Sequence, residues 1–210
     1  MRDNAAMHAP ALPRLVLGSS SPYRRELLSR LHLPFDTCSP DIDESPLPGE
    51  APRALAERLS RAKARRVAEL MAERGEADVV VIGSDQVADL AGQCLGKPGN
   101  HAGATTQLRA MSGQTVHFHT ALTVLRTGRQ HARTEVHSVA VTFRTLSEAT
   151  IERYLALEQP FDCAGSAKVE SLGIALLSEV RSDDPTTLIG LPMIAVARLL
   201  REMGLDPLAA

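Results

Sequence analysis

The sequence predicts a mixed α/β domain built around a twisted, partly antiparallel sheet flanked by helices. Three observations carry that expectation. Short apolar runs alternate along the chain with segments of helical period. Asp78 to Ile82 (DVVVI) is a continuous apolar strand, the kind buried on both faces. TVHFHTALTVL and HARTEVHSVAVTF flank a TGRQ turn and form the clearest hairpin in the chain.

The elements follow in order. Arg14 to Gly18 (RLVLG) reads as a short strand. Ser21 is placed to cap a helix with Pro22 at its first position, and Leu27, Leu28 and Leu31 form its buried stripe up to Leu33-Pro34. Phe35 to Ser39 is a second short strand, and PDIDESPLPGEAP a proline-rich acidic loop. A long helix from about Pro52 to Arg74, ended by Gly75, carries the stripe Leu55, Ala56, Leu59, Val67 and Leu70. At about 100° per residue, Lys63 falls inside that stripe with Arg66 close by, while Arg58, Arg61 and Arg65 fall on the solvent side. A lysine on a buried face is either a snorkelling stem or part of a site, and the helix alone does not decide.

GSDQVADL extends the DVVVI strand through a polar break, Ala91-Gly92 turns, and GQCLGKPGN returns. A helix spans about Asn100 to Met111 before the hairpin. After it, Ser147 caps a helix through Leu157, LGIALLSEV reads as a strand, and PTTLIGLPMIAVARLLREM as the last helix, stopped by Gly204.

Composition bounds the function. The 210 residues are 44% apolar, enough for one domain with a real core. Lys and Arg number 23 against 25 acids, a net charge of −2, which argues against a nucleic-acid sleeve or a membrane-surface binder. Cys38, Cys94 and Cys163 are odd in number and widely spaced, so a disulfide framework or structural zinc site is not expected and a reducing cytosol is. No apolar run approaches the roughly 20 residues of a membrane span, and the first 12 residues read as an extension without a signal-type apolar core.

Several charged residues stand out. Arg24 and Arg25 lie in the first turn of a helix, where cations are unfavourable unless an anion arrives, and Ser19, Ser20 and Ser21 allow close approach. No GxxxxGK[ST] loop is present. Asp41, Asp43 and Glu44 offer carboxylate oxygens to a hard cation, or are simply solvated. Asp85 follows a buried strand, where α/β folds place ligand chemistry. Lys97 sits in a GKP turn. Lys168 and Glu170 alternate on one face of what reads as an extended stretch. His117 and His119 share a strand face without a supporting carboxylate, and read as structural. GxSxG, HExxH and GxGxxG are absent. Basic groups for polyphosphate, acids for a divalent cation and a carboxylate able to activate water together fit hydrolysis of a phosphoanhydride.

The string LVLGSSSPYRRELLSRLHLPFDTCSPDIDES resembles the N-terminal signature of the Maf-like nucleotide pyrophosphatases. RAKA (Arg61 to Ala64), VIGSDQV (Val81 to Val87), GKP (Gly96 to Pro98), FDCAGSAKVESLGI (Phe161 to Ile174) and DPTTLIGLP (Asp184 to Pro192) continue the match in order. The resemblance implies a single domain over 13–207, with two lobes around a central cleft (Maf/ITPase-like), and cleavage of a nucleoside triphosphate between its α and β phosphates with a divalent cation, Mg or Mn. It implies Asp85 as proton acceptor, Lys63 and Lys97 as catalytic cations, and Ser19, Arg24 and Arg25 as phosphate-facing groups. Glu44, with Asp85, becomes the candidate metal ligand set. Homodimers are the family habit.

The three positions that divide the family hold Tyr23, Gln86 and Glu170, which look like the branch acting on 7-methyl-GTP. N7 methylation makes guanine cationic, so an aromatic face gains about 1–2 kcal/mol by stacking on it when desolvated. A carboxylate at 170 matches the N1–H and N2 amine donor pair that pyrimidines lack. Tyr23 stands where tryptophan is common, and Gly18 where alanine is. The alternatives are a pyrophosphatase for dTTP, UTP or another modified nucleotide, and a non-catalytic nucleotide-binding regulator of cell division.

Overall fold

The computed structural model describes residues 12–129 and 131–209. All but the last residue of the expected N-terminal extension lies outside them. Strand β1 (Arg14–Gly18) runs parallel to β2 (Asp36–Thr37) on one side and to β3 (Val79–Leu90) on the other. On its other edge β3 pairs antiparallel with β5 (Thr115–Arg126) along nearly its whole length, and beyond the end of β1 it continues to pair antiparallel with β4 (Gln93–Leu95). The hairpin closes on β6 (His131–Phe143), and β7 (Leu177–Arg181) adds the far edge, giving the order β2-β1-β3-β5-β6-β7. The helices are α1 (Pro22–Ser29), α2 (Pro52–Glu73), α3 (His101–Met111), α4 (Glu148–Glu158) and α5 (Met193–Glu202).

Strand alternation sorts these helices onto two faces. On one face, Leu15, Leu17, Val80, Ile82 and Val124 pack against α1 and α5 through Leu27, Leu28, Val196 and Leu199. Further along the same face, Ala88, Phe118, Val139 and Val141 pack against α3 and α4 through Leu108, Met111, Ile151 and Leu155. Each buried leucine of these clusters contributes about 1.5–3 kcal/mol. Between the two helix pairs the face turns polar: Gln86, Thr120 and His137 are cross-strand neighbours in one row. That gap is the cleft between two lobes.

Among the described helices only α2 covers the opposite face, through Ala56, Leu59, Ala64, Val67 and Met71, with Cys38 and Ile42 packed beside it. Its close seat depends on Gly83, where an added Cβ would come within 2.4 Å of the Ser60 carbonyl oxygen and 2.7 Å of the Ala64 nitrogen. The residue two further along β3 on this face is Asp85, and the α2 residue beside it is Lys63.

The element order matches expectation, with local differences. LGIALLSEV is not one strand, because Leu172–Leu176 forms a 3-10 helix and only Leu177–Arg181 pairs with β6. Helix α5 begins at Met193, because Pro192 blocks it, and Thr187–Ile189 is a separate 3-10 turn. Helix α1 ends at Ser29, before Leu31. Lys168 and Glu170 lie in a loop, not an extended stretch. Among the described residues no helix is long and apolar enough to cross a membrane.

Candidate active site

A cleft of about 480 Å³ opens where β1 stops and β3 runs on. Ser19, Tyr23 and Arg24 enter it from α1 and the loop before it, Glu44 from the acidic loop, Lys63 from α2 and Asp85 from β3. Gln86, Lys97 and Glu170 line it from the other lobe and the cleft floor. Arg25 does not line it: one residue further round α1, it is exposed. The loop places Lys168 at 3.8 Å from Asp162, with its Nζ donating to the Glu158 carbonyl, so it leaves the cleft to Glu170.

The α1 N-terminus is built to hold one arginine. Ser21 Oγ accepts from the Arg24 amide at 3.4 Å as the N-cap. Ser19 Oγ accepts from the Ser21 amide at 3.1 Å and from Arg24 Nη1 at 3.4 Å. Arg24 Nε donates to the Gly190 carbonyl at 3.0 Å. No carboxylate pairs with this guanidinium among the described residues, and burial lowers its pKa, opposed at a distance by Asp85 and Glu44. A half-buried cation whose only bonds go to a carbonyl and a hydroxyl keeps donors for an anion.

Beside it, Lys63, only 6% exposed, places Nζ 2.7 Å from both Asp85 Oδ1 and Glu44 Oε1. Burial raises the Asp85 pKa above the usual carboxylate value, with Lys63 and Arg24 opposing and Glu44 adding to the rise. The Lys63 ammonium therefore answers the question its place on the helix posed: it is a paired charge aimed into a cleft, not a snorkelling stem. Glu44 and Asp85 each bond this ammonium through one oxygen, Oε1 and Oδ1, and their second oxygens suit a hard divalent cation that takes its remaining ligands from phosphate. No cluster of three or more protein ligands exists among the described residues. The acidic loop is anchored by Arg58, expected to be merely solvated, which donates to both Glu50 oxygens at 2.7 and 2.8 Å and to the Ser45 carbonyl at 3.0 Å.

Gln86 has a second duty. Its Nε2 faces Thr120 Oγ1 at 2.8 Å and the carbonyls of Thr187 and Leu188 at 3.1 Å, so its amide nitrogen holds the 3-10 turn and only Oε1 remains for a ligand. Tyr23 sits near Lys168 and Glu170, and burial raises its hydroxyl pKa. Phe118, Cys163, Ala164, Ala167, Val169 and Leu188 supply the apolar wall beside them.

Sequence reasoning missed one partner of Arg24, the Gly190 carbonyl, and the groups that hold it. The Gly190 carbonyl is fixed by the buried Ser84 hydroxyl at 3.1 Å as well as by Arg24. Asp184 and Thr186 sew the loop beneath it, Asp184 accepting from the Ile194 amide at 2.7 Å at the start of α5. DPTTLIGLP carries no side chain that reads as chemistry, and a backbone carbonyl leaves no mark in sequence. His117 and His119 stack at 6.3 Å outside the cleft, and contrary to expectation a carboxylate does stand beside them, Asp89 at 3.2 Å from His119 Nε2, with Ser138 at its Nδ1.

The family model described as Maf-like protein matches residues 14–203. A 7-methyl-GTP pyrophosphatase of Polaromonas sp. strain JS666 is 57% identical over 195 residues, 93% of this chain and 87% of that protein. One of Cupriavidus metallidurans is 57% identical over 201 residues, covering 94% and 97%. One of Bordetella pertussis is 56% identical over 200 residues, covering 95% and 97%. Among solved structures, a nucleoside-triphosphatase / dITP/XTP pyrophosphatase of Mycobacterium abscessus aligns at 18% identity over 70% of this chain and 94% of that one. Its TM-score of 0.36 is too low to transfer any detail.

Proposed function

This chain belongs to the Maf-like protein family, and from that premise we propose that it hydrolyses 7-methyl-GTP to 7-methyl-GMP and diphosphate. The observation that carries the reading is the half-buried Arg24 guanidinium, without a carboxylate partner among the described residues, beside the Lys63–Asp85 pair. A polyphosphate is the ligand that fits such a pairing of an unmatched cation with a water-activating acid. Residues 13–207 act as one domain around this cleft.

Asp85 takes the proton from water as its oxygen attacks the α-phosphorus. The bond from that phosphorus to the α,β-bridging oxygen breaks, and diphosphate leaves. A raised pKa brings Asp85 closer to the working pH and makes it a better base than a solvated aspartate. Lys63 orients Asp85, and Arg24 and Lys97 offset the charge that builds on the leaving group. Glu44 and Asp85 would hold a divalent cation, Mg or Mn, which supplies further neutralisation of the phosphate oxygens. Tyr23 offers a ring to the cationic base and Glu170 two acceptor oxygens to its donor edge.

A pyrophosphate-release assay with Mn²⁺ and a panel of 7-methyl-GTP, GTP, dTTP and UTP tests this. The expected result is the highest kcat/KM on 7-methyl-GTP, with Asp85→Asn folded, able to bind nucleotide and inactive. Full turnover by Asp85→Asn would remove that residue from the mechanism. A preference for dTTP or UTP would overturn the substrate. Nucleotide binding without turnover by the unmodified chain would leave a binding regulator.

A further inference from the structure

We propose that Gln107 is a positioning residue that ties the phosphate-side turn to the base-side loop, so that the two halves of the cleft keep one spacing. The proposal rests on the pyrophosphatase reading for the identity of the two halves. Lys97 lies in the turn after β4, and Cys163, Ala164, Ala167 and Glu170 in the loop after α4; all five line the cleft. Neither segment belongs to a strand of the sheet.

Gln107 projects from α3, whose neighbouring Ala104, Leu108 and Met111 are fully buried in the core. Its Nε2 donates to the Gly96 carbonyl at 2.9 Å, one residue from Lys97. Its Oε1 accepts from Ser166 Oγ at 2.5 Å. The amide orientation is forced, because the Gly96 carbonyl only accepts and so must face the nitrogen. One side chain on a rigid helix thus grips both segments.

The base-side end is the strained one. Gly165 and Ser166 are both left-handed, at φ 70° and 53°, and Ser166 is fully buried. A serine persists there only where its surroundings over-determine it, and the bond to Gln107 is what its hydroxyl makes. The same two segments meet again where the Gly99 amide donates to the Phe161 carbonyl at 3.0 Å. Downstream, the Lys168 amide donates to the buried Tyr154 hydroxyl at 3.0 Å, which fixes the loop just before Glu170. Breaking the Gln107 link leaves the core whole and lets Lys97 and the base pocket shift relative to one another.

Two variants separate this role from plain packing. Gln107→Met keeps length and volume but loses both bonds, and Ser166→Gly loses only the base-side bond while relieving the left-handed backbone. Pyrophosphate release from 7-methyl-GTP is measured with two competitive inhibitors, 7-methylguanosine for the base side and inorganic tripolyphosphate for the phosphate side. Loss of one hydrogen bond's positioning corresponds to about fivefold in an inhibition constant. Ser166→Gly is expected to weaken 7-methylguanosine by that factor and leave tripolyphosphate unchanged, without lowering the thermal midpoint. Gln107→Met is expected to weaken both. Unchanged inhibition constants with a lowered midpoint would overturn the proposal, and if Gln107→Met does not fold, the Ser166→Gly result alone decides. If the unmodified chain prefers another nucleoside triphosphate, the substrate reading fails, and that substrate's nucleoside replaces 7-methylguanosine in the same comparison.

Discussion

Lys63→Met is the perturbation that most directly probes the buried charge pair. The Lys63 Nζ to Asp85 Oδ1 distance is 2.7 Å, and both side chains are under a tenth exposed. At an effective dielectric of about 20, two unit charges at that distance attract by about 6 kcal/mol, an upper bound on what the lysine does for the ionised aspartate. Two features reduce the net effect. Glu44 shares the ammonium at 2.7 Å, and Arg24 remains as a second positive neighbour of Asp85. An opposite charge at such range ordinarily lowers a carboxyl pKa by about one to three units, or about 1.4–4 kcal/mol. Burial already raises Asp85, so removing the lysine adds to the rise. As a base, Asp85 works only when deprotonated. The acidic limb of kcat/KM against pH is therefore expected to move upward by about one to three units, on top of a lower plateau. Lys63→Arg, which keeps the charge, should leave the limb nearer its original place. A limb that stays put or moves downward in Lys63→Met would refute the assignment of Asp85 as the ionising base.

Three further variants test the remaining parts. Arg24→Met should lower kcat/KM for every triphosphate while raising the melting temperature, by about 2–4 °C for each kcal/mol recovered. The sign follows because burial lowers the Arg24 pKa, so the folded state disfavours the charge at every working pH. Gly83→Ala would drive a Cβ into the α2 backbone at Ser60 and Ala64; the expected cost is about 1–3 kcal/mol by denaturant unfolding, with activity lost as α2 carries Lys63 away from Asp85. Glu170→Gln should reduce the preference for 7-methyl-GTP over UTP by about tenfold or more, since a charge-assisted acceptor becomes neutral; an unchanged preference would place base recognition elsewhere.

What the sequence carries of this cleft, and what it hides, follows from where each interaction resides. Lys63 was visible because helical period put a charge on a buried face, and the structure supplies the two carboxylates that explain it. Asp85 was visible because an acid follows a buried apolar run; the structure carries the strand on past it to Leu90, so it stands inside β3 and not at its end. Arg24 and Arg25 are equivalent in sequence, adjacent cations at one helix start, and only the rotation of about 100° per residue separates a cleft residue from an exposed one. Their difference is fixed by Gly190, 166 positions away along the chain, whose carbonyl holds Arg24. Gln86 reads in sequence as one of the three positions that divide the family; its grip on the Thr187 and Leu188 carbonyls depends on a 3-10 turn just before α5. The legible residues are those whose side chains break a local pattern. The hidden ones act through backbone groups brought in from distant segments, and these set how firmly a half-buried guanidinium, without a carboxylate partner among the described residues, is held ready for phosphate.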